Sequence, residues 1–167
     1  MRRNRALVLD TSSIINGYPP EETLEKFTVP EVVEEAKATV TASSMGVLME
    51  RGEMRVWDAS TGSVEQVEEK LGEIGGKLST ADVRLVALAL DLAGRGLKPV
   101  LVTDDYGLQN MASVLNLESK SVVTPGIKSV FSWRGVCPAC GKNWDGDVER
   151  CPDCGTPLRK EVSRRPI

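Results

Sequence analysis

The sequence predicts a parallel α/β domain followed by a small unit held together by metal ligands, and three observations support this. Short apolar runs suited to buried strands alternate with helical patterns over the first three quarters of the chain. Two of these runs end in carboxylates, at Asp10 and at Asp104 with Asp105. All four cysteines follow, in two Cys-x-x-Cys pairs beginning at Cys137 and Cys151.

The chain begins with a buried strand and a helix. Residues 6–9 form a short apolar run typical of a parallel strand, and the Thr-Ser-Ser after Asp10 is a helix-start pattern. Pro30 opens a second helix, whose apolar residues recur at helical spacing as far as Val40. Residues 55–58 then predict a short strand.

Two helices with start signals come next. Ser63 and Gln66 form a capping-box pattern before a helix over residues 64–74. Ser79 caps a helix over residues 81–93. This helix is apolar on most sides, so we expect it at the centre of the fold.

The first domain closes with a strand over residues 99–103, a helix over 108–115 and a strand over 121–124. After a turn at 124–126 the apolar content falls. We therefore divide the chain into a first domain over 1–126, an extended connection over 127–136, a ribbon over 137–158 and a basic tail over 159–167.

Composition excludes several classes of function. Histidine is absent, which excludes Ser-His-Asp and Cys-His catalysis and any histidine-ligated metal site. No apolar run approaches the roughly 18 residues of a membrane helix, and the apolar stretch after the basic start is too short for a signal peptide. We expect a cytoplasmic protein with no membrane partner.

Charge is distributed unevenly along the chain, whose net charge is −3. From residue 134 onward there are seven basic and five acidic residues, against 14 basic and 19 acidic residues before it. Four metal-bound thiolates would offset the positive excess of the second part. Electrostatics alone therefore does not indicate a nucleic-acid partner.

Carboxylates occur where the predicted elements would bring them to one edge of the sheet. Asp10 and the pair Asp104 and Asp105 end two strands, while Glu34, Glu35 and Asp82 lie near helix starts. Ligands of open α/β sheets bind beyond the carboxyl ends of the strands. Such a cluster favours Mg²⁺ or Mn²⁺, and with no histidine it favours metal-assisted phosphodiester hydrolysis. Taken singly, each acid could equally be a helix cap, a turn residue or part of a solvated face.

Four segments carry a resemblance to a known family. LVLDTSSII, VPEVVEEAK, LSTADVRLVALAL and VLVTDDYGLQNMA, in this order, resemble the four acidic motifs of PIN-domain nucleases. The last two, followed by a ribbon, resemble the archaeal Nob family, and the likeness covers essentially the whole chain. It implies a PIN-like parallel-sheet sandwich with a C-terminal zinc ribbon.

The resemblance also implies which acids hold the catalytic ion. They fall on Asp10, Glu35, Asp82 and Asp105, as ligands of Mg²⁺ or Mn²⁺. Glu35 is preferred to Glu34, and Asp105 to its neighbour, from their positions in the motifs. Asp104 remains in the catalytic set as an auxiliary ligand or an orienting residue.

The cysteine spacing indicates a second, structural metal. Two tight knuckles, each followed by glycine, supply four thiolates at Cys137, Cys140, Cys151 and Cys154. Zinc is preferred, and iron in a rubredoxin-like arrangement is the alternative, because spacing does not separate the two.

The ribbon also supplies side chains suited to phosphates and bases. These candidates for RNA binding are Arg134, Lys142, Trp144 and Arg150. We expect Phe131 and Trp133 to pack at the domain junction, and Arg164 and Arg165 to lie in the tail.

Together these features predict a metal-dependent endoribonuclease. The resemblance implies that it cleaves precursor small-subunit ribosomal RNA near the mature 3′ end, in contact with the assembling small subunit and its assembly factors. A toxin-type PIN ribonuclease and a non-catalytic zinc-ribbon RNA-binding scaffold are the alternatives.

Overall fold

A computed structural model describes residues 4–18, 24–38 and 42–167. The chain runs through two sheets and six helices in the order β1 (Arg5–Leu9), α1 (Thr11–Ile15), β2 (Glu25–Thr28), α2 (Pro30–Lys37), α3 (Ala42–Glu50), β3 (Met54–Val56), α4 (Thr61–Ile74), α5 (Thr80–Gly94), β4 (Lys98–Val102), α6 (Tyr106–Val114), β5 (Glu118–Lys120), β6 (Ser129–Val136), β7 (Asn143–Asp145) and β8 (Arg159–Pro166).

The first sheet has five parallel strands in the order β3-β2-β1-β4-β5. Its two central strands, β1 and β4, pair over five residues and are buried except at their first residue. Burial on both faces explains why these strands are continuous apolar runs rather than alternating ones. The prediction of a parallel α/β sandwich is therefore confirmed.

Helix α5 is the central helix, as its composition predicts. Eight of its 15 residues are buried, among them Leu85, Leu88 and Leu92. A capping box fixes its start: the Ser79 hydroxyl accepts from the Asp82 backbone, and the Asp82 carboxylate accepts from the Ser79 backbone. Its first turn therefore has both a rigid geometry and a carboxylate directed back along the helix.

Helix α4 begins earlier than the Ser63–Gln66 pattern predicts. Ser60 is the N-cap residue, and its hydroxyl accepts from the Ser63 backbone N–H. Ser63 instead donates its hydroxyl to Asp91 of α5, which also accepts from the backbone and the hydroxyl of Ser60. The Ser63 hydroxyl therefore bonds to Asp91 of a neighbouring helix instead of capping its own helix.

Other local patterns were also displaced by tertiary contacts. The strand predicted over 121–124 lies three residues earlier, as β5, and 121–124 forms a loop after it. Helix α2 ends at Lys37, and Val40 lies outside the described residues. Helix α3 and strand β2 had no distinctive pattern in the sequence and were not predicted.

The second sheet is antiparallel, in the order β7-β6-β8. The predicted connection over 127–136 contains β6, and the predicted tail over 159–167 contains β8. The two strands pair in eight positions, from Ser129 with Pro166 to Val136 with Arg159. This sheet is long-range, so nothing in either segment alone indicates it.

Two buried amides on α6 attach the second sheet to the first domain. Asn110 pairs like a strand residue with Phe131, accepting from its N–H at 2.7 Å and donating to its carbonyl at 2.9 Å. Gln109 bridges the Thr103 carbonyl and the Ile127 N–H, both at 2.9 Å. Because both side chains are buried, these bonds are shielded from water and fix β6 against α6.

None of the helices in the described stretches is long and apolar enough to cross a membrane.

Candidate active site

The candidate cleft lies at the carboxyl ends of three parallel strands. Asp10 follows β1, the pair Asp104 and Asp105 follows β4, and the loop 121–124 follows β5. Asp82 lies in the first turn of α5 and Glu35 in the last turn of α2, and the charges of both are coupled to that of Asp10. The carboxyl edge of the strands is where ligands of open α/β sheets bind.

Asp10 is the most buried of the acids, at 9% exposure, and hydroxyls of helix α1 and of the residue after β4 hold it. Its Oδ2 accepts from Ser12 Oγ at 2.7 Å and from Thr103 Oγ1 at 2.8 Å, and its Oδ1 accepts from the Thr11 N–H at 2.6 Å. Asp10 is also the N-cap residue of α1. The plain capping role and the candidate catalytic role therefore coincide in one side chain.

Four of the five predicted acids are electrostatically coupled. Partial desolvation of its exposed carboxylate raises the pKa of Glu35, and the charges of Asp82 and Asp10 raise it further. Burial likewise raises the pKa of Asp82, against the hydrogen bonds from Ser79 that lower it, and the charges of Asp10 and Asp105 add to the increase. The fold thus gathers like charges whose mutual repulsion a cation would relieve.

Glu34 and Glu35 are separated by their partners. Glu34 forms an ion pair with Lys37 at 2.5 Å, whereas Glu35 is coupled to the other acids. Both are exposed on α2. Of the two neighbours, it is Glu35, preferred from the motif, whose charge is coupled to those of Asp82 and Asp10.

Asp104 differs from the other acids because hydrogen bonds surround it. Its Oδ1 accepts from the backbone N–H groups of Val122, Val123 and Thr124 and from the Thr124 hydroxyl, at 2.9 to 3.1 Å. Its Oδ2 accepts from Asn16 Nδ2 at 2.9 Å. These bonds, led by that of the Thr124 N–H, lower its pKa to about 2.

The remaining carboxylates keep oxygen lone pairs available. Asp105 caps α6 through a single bond from the Leu108 N–H to Oδ1, and hydrogen bonds to Asp82 from the described residues reach only Oδ2. Hard carboxylate oxygens in this number suit Mg²⁺ or Mn²⁺. The residues present therefore fit a divalent ion held by Asp10, Glu35, Asp82 and Asp105.

The four cysteines are already arranged for one metal ion. Their four ligand atoms all lie within 4.8 Å of one another. Among the described residues no group of carboxylates meets that criterion, so the acids of the cleft are more widely spaced. The sulfur atoms of Cys137 and Cys154 are 3.4 Å apart, those of Cys140 and Cys151 3.6 Å, and those of Cys154 and Cys140 3.9 Å. A tetrahedron with metal–sulfur bonds of about 2.3 Å has edges of about 3.8 Å, whereas a disulfide bond is about 2.05 Å long. The geometry fits a tetrahedral ion and not disulfides.

Each cysteine pair forms the same knuckle. The Gly141 N–H donates to the Cys137 carbonyl at 2.9 Å, and the Gly155 N–H donates to the Cys151 carbonyl at 2.8 Å. Both glycines have positive φ, at 73° and 71°, which other residues rarely adopt. The backbone N–H of Cys140 lowers the pKa of the Cys137 thiol, which favours the thiolate that a metal requires.

The candidate RNA-binding residues lie in the second sheet and its knuckles. Arg134 pairs with Glu161 at 3.3 Å, Lys142 pairs with Asp153, and Arg150 donates to the Gly155 carbonyl at 3.2 Å. All three are exposed. Trp144 is half-buried with its Nε1 enclosed, so less of its ring is available for base stacking.

Sequence reasoning missed the groups that hold the acids in place. In the sequence, Ser12 lies in a helix-start pattern and Thr103 at the end of a predicted strand, and no motif marks Asn16. Arg84 joins α5 to the start of α2 by pairing with Glu31 at 3.0 Å, and it also pairs with Asp58 at 2.9 Å. No local signal identifies these partners, because each acts across the fold.

Comparison with known proteins adds independent evidence. A family model described as PIN domain of ribonuclease matches residues 7–92. The chain is 35% identical to Endoribonuclease Nob1 of Methanocaldococcus jannaschii, over 93% of this chain and 77% of that protein. It is 33% identical to Endoribonuclease Nob1 of Methanothermobacter thermautotrophicus, over 94% and 93%. Ribonuclease VapC3 of Aeropyrum pernix is 38% identical over 67% of this chain and 82% of that protein.

Proposed function

Because the chain belongs to the Nob1 family of PIN-domain endoribonucleases, we propose that it cleaves precursor small-subunit ribosomal RNA near its mature 3′ end. The cleavage depends on Mg²⁺ or Mn²⁺ and takes place in contact with the assembling small subunit and its assembly factors. The observation that carries this proposal is the position of Asp10 and Asp105 beyond the paired strands β1 and β4. Glu35 is charge-coupled to Asp82 and Asp10, and Asp82 to Asp10 and Asp105.

The carboxylates and the hydroxyls have separate tasks in this reaction. Asp10, Glu35, Asp82 and Asp105 hold the ion, which when bound supplies water activation and neutralises charge on the phosphate. Ser12 and Thr103 orient the Asp10 carboxylate by donating to its Oδ2. The Ser79 backbone and hydroxyl do the same for Asp82 through its Oδ2.

The second sheet positions the RNA while the first domain cleaves it. Residues 1–126 carry the catalytic acids, and the ribbon over 137–158 carries zinc on Cys137, Cys140, Cys151 and Cys154. Arg134, Lys142 and Arg150 contact phosphates, and Trp144 contributes the exposed part of its ring. The charge balance supports this division, since the acidic first domain alone is unsuited to binding a polyanion.

A toxin-type ribonuclease is the alternative that the VapC relative supports. The likeness to Ribonuclease VapC3 covers only about two thirds of this chain, whereas that to the two Nob1 proteins covers more than nine tenths. The four-cysteine knuckles at 137–154 have their role in the first proposal and none in a bare PIN domain. An RNA-binding scaffold without catalysis leaves the carboxylate cluster unexplained.

The test is cleavage of a short RNA that spans the ribosomal 3′ boundary, with Mn²⁺ and with EDTA. Asp10→Asn and Glu35→Gln should abolish cleavage, because each amide keeps the shape of the side chain and loses its charge as a ligand. Glu34→Gln is the matched control and should cleave like the wild type, since Glu34 pairs with Lys37. Cleavage that persists in EDTA, or in Asp10→Asn, contradicts the proposed site; indiscriminate cleavage of unrelated RNA favours the toxin-type alternative.

A further inference from the structure

Asp104 is the acid at the end of β4 that the fold has surrounded with donors. Its two oxygens accept five hydrogen bonds, four at Oδ1 and one at Oδ2. An ionised carboxylate offers about four lone-pair sites. Oδ1 is therefore fully occupied and Oδ2 is bound to Asn16, whereas one oxygen of Asp82 and one of Asp105 accept no hydrogen bond from the described residues.

The donors come from two separate segments, which follow the strands on either side of β4. Asn16 follows α1, the helix that Asp10 caps, while Val122, Val123 and Thr124 belong to the loop after β5. We call residues 15–16 and 122–124 the rim. Only the Asp104 carboxylate among the described residues bonds to both parts of it.

The rim presents apolar surface beside the charged cleft. The Val123 side chain is 71% exposed and that of Ile15 is 55% exposed. Each lies at or next to a residue whose N–H or amide is bound to Asp104. The loop is thus held rigid while its large apolar side chain faces solvent, an arrangement that lowers the ordering cost of binding a ligand.

We propose that Asp104 is a positioning residue for the RNA substrate and does not hold the catalytic ion. Asp104 joins the two parts of the rim into one fixed surface. That surface contacts nucleotides next to the scissile phosphate. The inference rests on the proposed RNA cleavage for its substrate. The backbone N–H of Asp104 also donates to Ser12 Oγ, and that hydroxyl donates to the Asp10 carboxylate. The backbone hydrogen bond is independent of the Asp104 carboxylate, so a side-chain substitution should leave the ion site largely intact.

The experiment compares Asp104→Asn with Asn16→Ala and with Glu118→Gln as control. Asn16→Ala removes only the donor to Oδ2, so it tests the rim even if Asp104→Asn folds poorly. Glu118 is an exposed acid at the start of β5, away from the cleft, and pairs with Arg5. Three quantities are measured: Mn²⁺ affinity of the RNA-free protein, amide hydrogen exchange at 122–124, and kcat and KM on the boundary RNA.

Asp104→Asn should raise KM about 10-fold, as expected for the loss of one charged hydrogen bond, and change kcat much less. Exchange at 122–124 should increase by a similar factor, while Mn²⁺ affinity stays close to that of the wild type. The double variant Asn16→Asp with Asp104→Asn exchanges the donor and the acceptor of this hydrogen bond. Its KM should therefore return part of the way to the wild-type value. Glu118→Gln should change none of these quantities.

Two results would overturn the inference. Mn²⁺ affinity reduced in Asp104→Asn as severely as in Asp10→Asn would make Asp104 a ligand. Unchanged exchange and KM in both rim variants would make its hydrogen bonds incidental. If the wild type does not cleave the RNA, the proposed function fails separately, and the exchange and Mn²⁺ measurements still decide whether Asp104 fixes the rim or holds the ion.

Discussion

The acidic side chains of the cleft differ in whether their oxygens remain available. Asp104 accepts five hydrogen bonds, four of them at Oδ1, whereas Glu35 lies exposed on α2 and is influenced by the charges of Asp82 and Asp10. The sequence shows only that both are acids. Their chemistry is set by the donors and charges that the fold brings to them.

Glu35 gives the metal-free protein a pH-dependent stability with a definite sign. Its folded pKa is raised, so the folded state binds this proton more tightly than the unfolded state does. The resulting stabilisation is fully present below the unfolded pKa and is lost as pH rises through the folded pKa. Metal-free Glu35→Gln should therefore be more stable than the wild type at pH 7, and the difference should shrink toward about pH 4.

Urea denaturation at the two pH values, with all metal removed from the carboxylates, measures this difference. Glu34→Gln is the control and should lose a little stability at pH 7, because it breaks the ion pair with Lys37. A Glu35→Gln variant less stable than the wild type at pH 7 would contradict the coupling of Glu35 to Asp82 and Asp10.

At the scale of elements, helix starts determine where the cleft acids lie. Asp10 caps α1, Asp105 caps α6, and Asp82 closes the capping box of α5. The capping explanation that each acid admits on its own is therefore correct for three of them, and it does not compete with a catalytic role. A cap fixes the carboxylate at the first turn, where the strand ends and helix starts converge.

The two roles of Asp82 can be separated experimentally. Ser79→Ala removes the capping hydroxyl and should cost about 1 kcal/mol of unfolding free energy while retaining cleavage, because the carboxylate remains. Asp82→Asn should abolish cleavage of the boundary RNA and change stability less, because the amide oxygen can still accept from the Ser79 backbone. Thermal or urea unfolding and the cleavage assay on both variants distinguish the outcomes; equal loss of cleavage in both would mean that the cap and not the charge is what catalysis needs.

For the whole molecule, the relation between the two sheets is decided by close backbone contacts. Gly146, after β7, lies against the end of α4, so that a Cβ there would meet the Gly72 carbonyl oxygen at 2.6 Å. A Cβ on Gly75 would approach the Trp133 and Gly146 backbones at 3.1 to 3.2 Å. With the Asn110 and Gln109 amides, these contacts make residues 127–136 a packed strand rather than a free linker.

Gly146→Ala tests this contact. The residue has φ +83° and no room for a Cβ, so we expect a loss of about 2 to 4 kcal/mol from backbone strain and overpacking together. Gly52→Ala is the matched control: it has φ +66° and open space, so only strain of about 1 to 2 kcal/mol should appear. Equal losses in urea denaturation would show that α4 and the turn at Gly146 do not pack as described.

The metal of the second sheet should be essential to that sheet alone. We expect one tightly bound zinc per chain, and we expect Cys151→Ser to unfold the knuckles and strands β7 and β8 while the first domain survives, because the latter has its own core. Asp153 is exposed and lies between Cys151 and Cys154. The Asp153→Asn variant is the control and should keep the zinc ion. Elemental analysis measures the metal and NMR amide dispersion measures the folding; iron, or collapse of the first domain, would contradict the prediction.

The sequence by itself determined the fold class and the candidate metal ligands of the protein. Parallel strands, the central helix, the acids at their ends and two cysteine knuckles follow from local requirements: apolar runs for buried strands, carboxylates for a hard ion, thiolates with glycine for a tetrahedral one. Each requirement is met within a few residues, so it leaves a pattern that can be recognised in the chain.

Only the tertiary structure decided which groups hold those residues in place. The pairing of β6 with β8, the Asp91 contact that moves the start of α4, and the capture of the loop 122–124 by Asp104 all join segments far apart in the chain. Strand pairing and side-chain hydrogen bonds of this kind depend on a partner that the local sequence does not contain. For that reason the acids could be proposed as a candidate site from the sequence, whereas the hydrogen bonds and contacts that hold them in place could not be predicted.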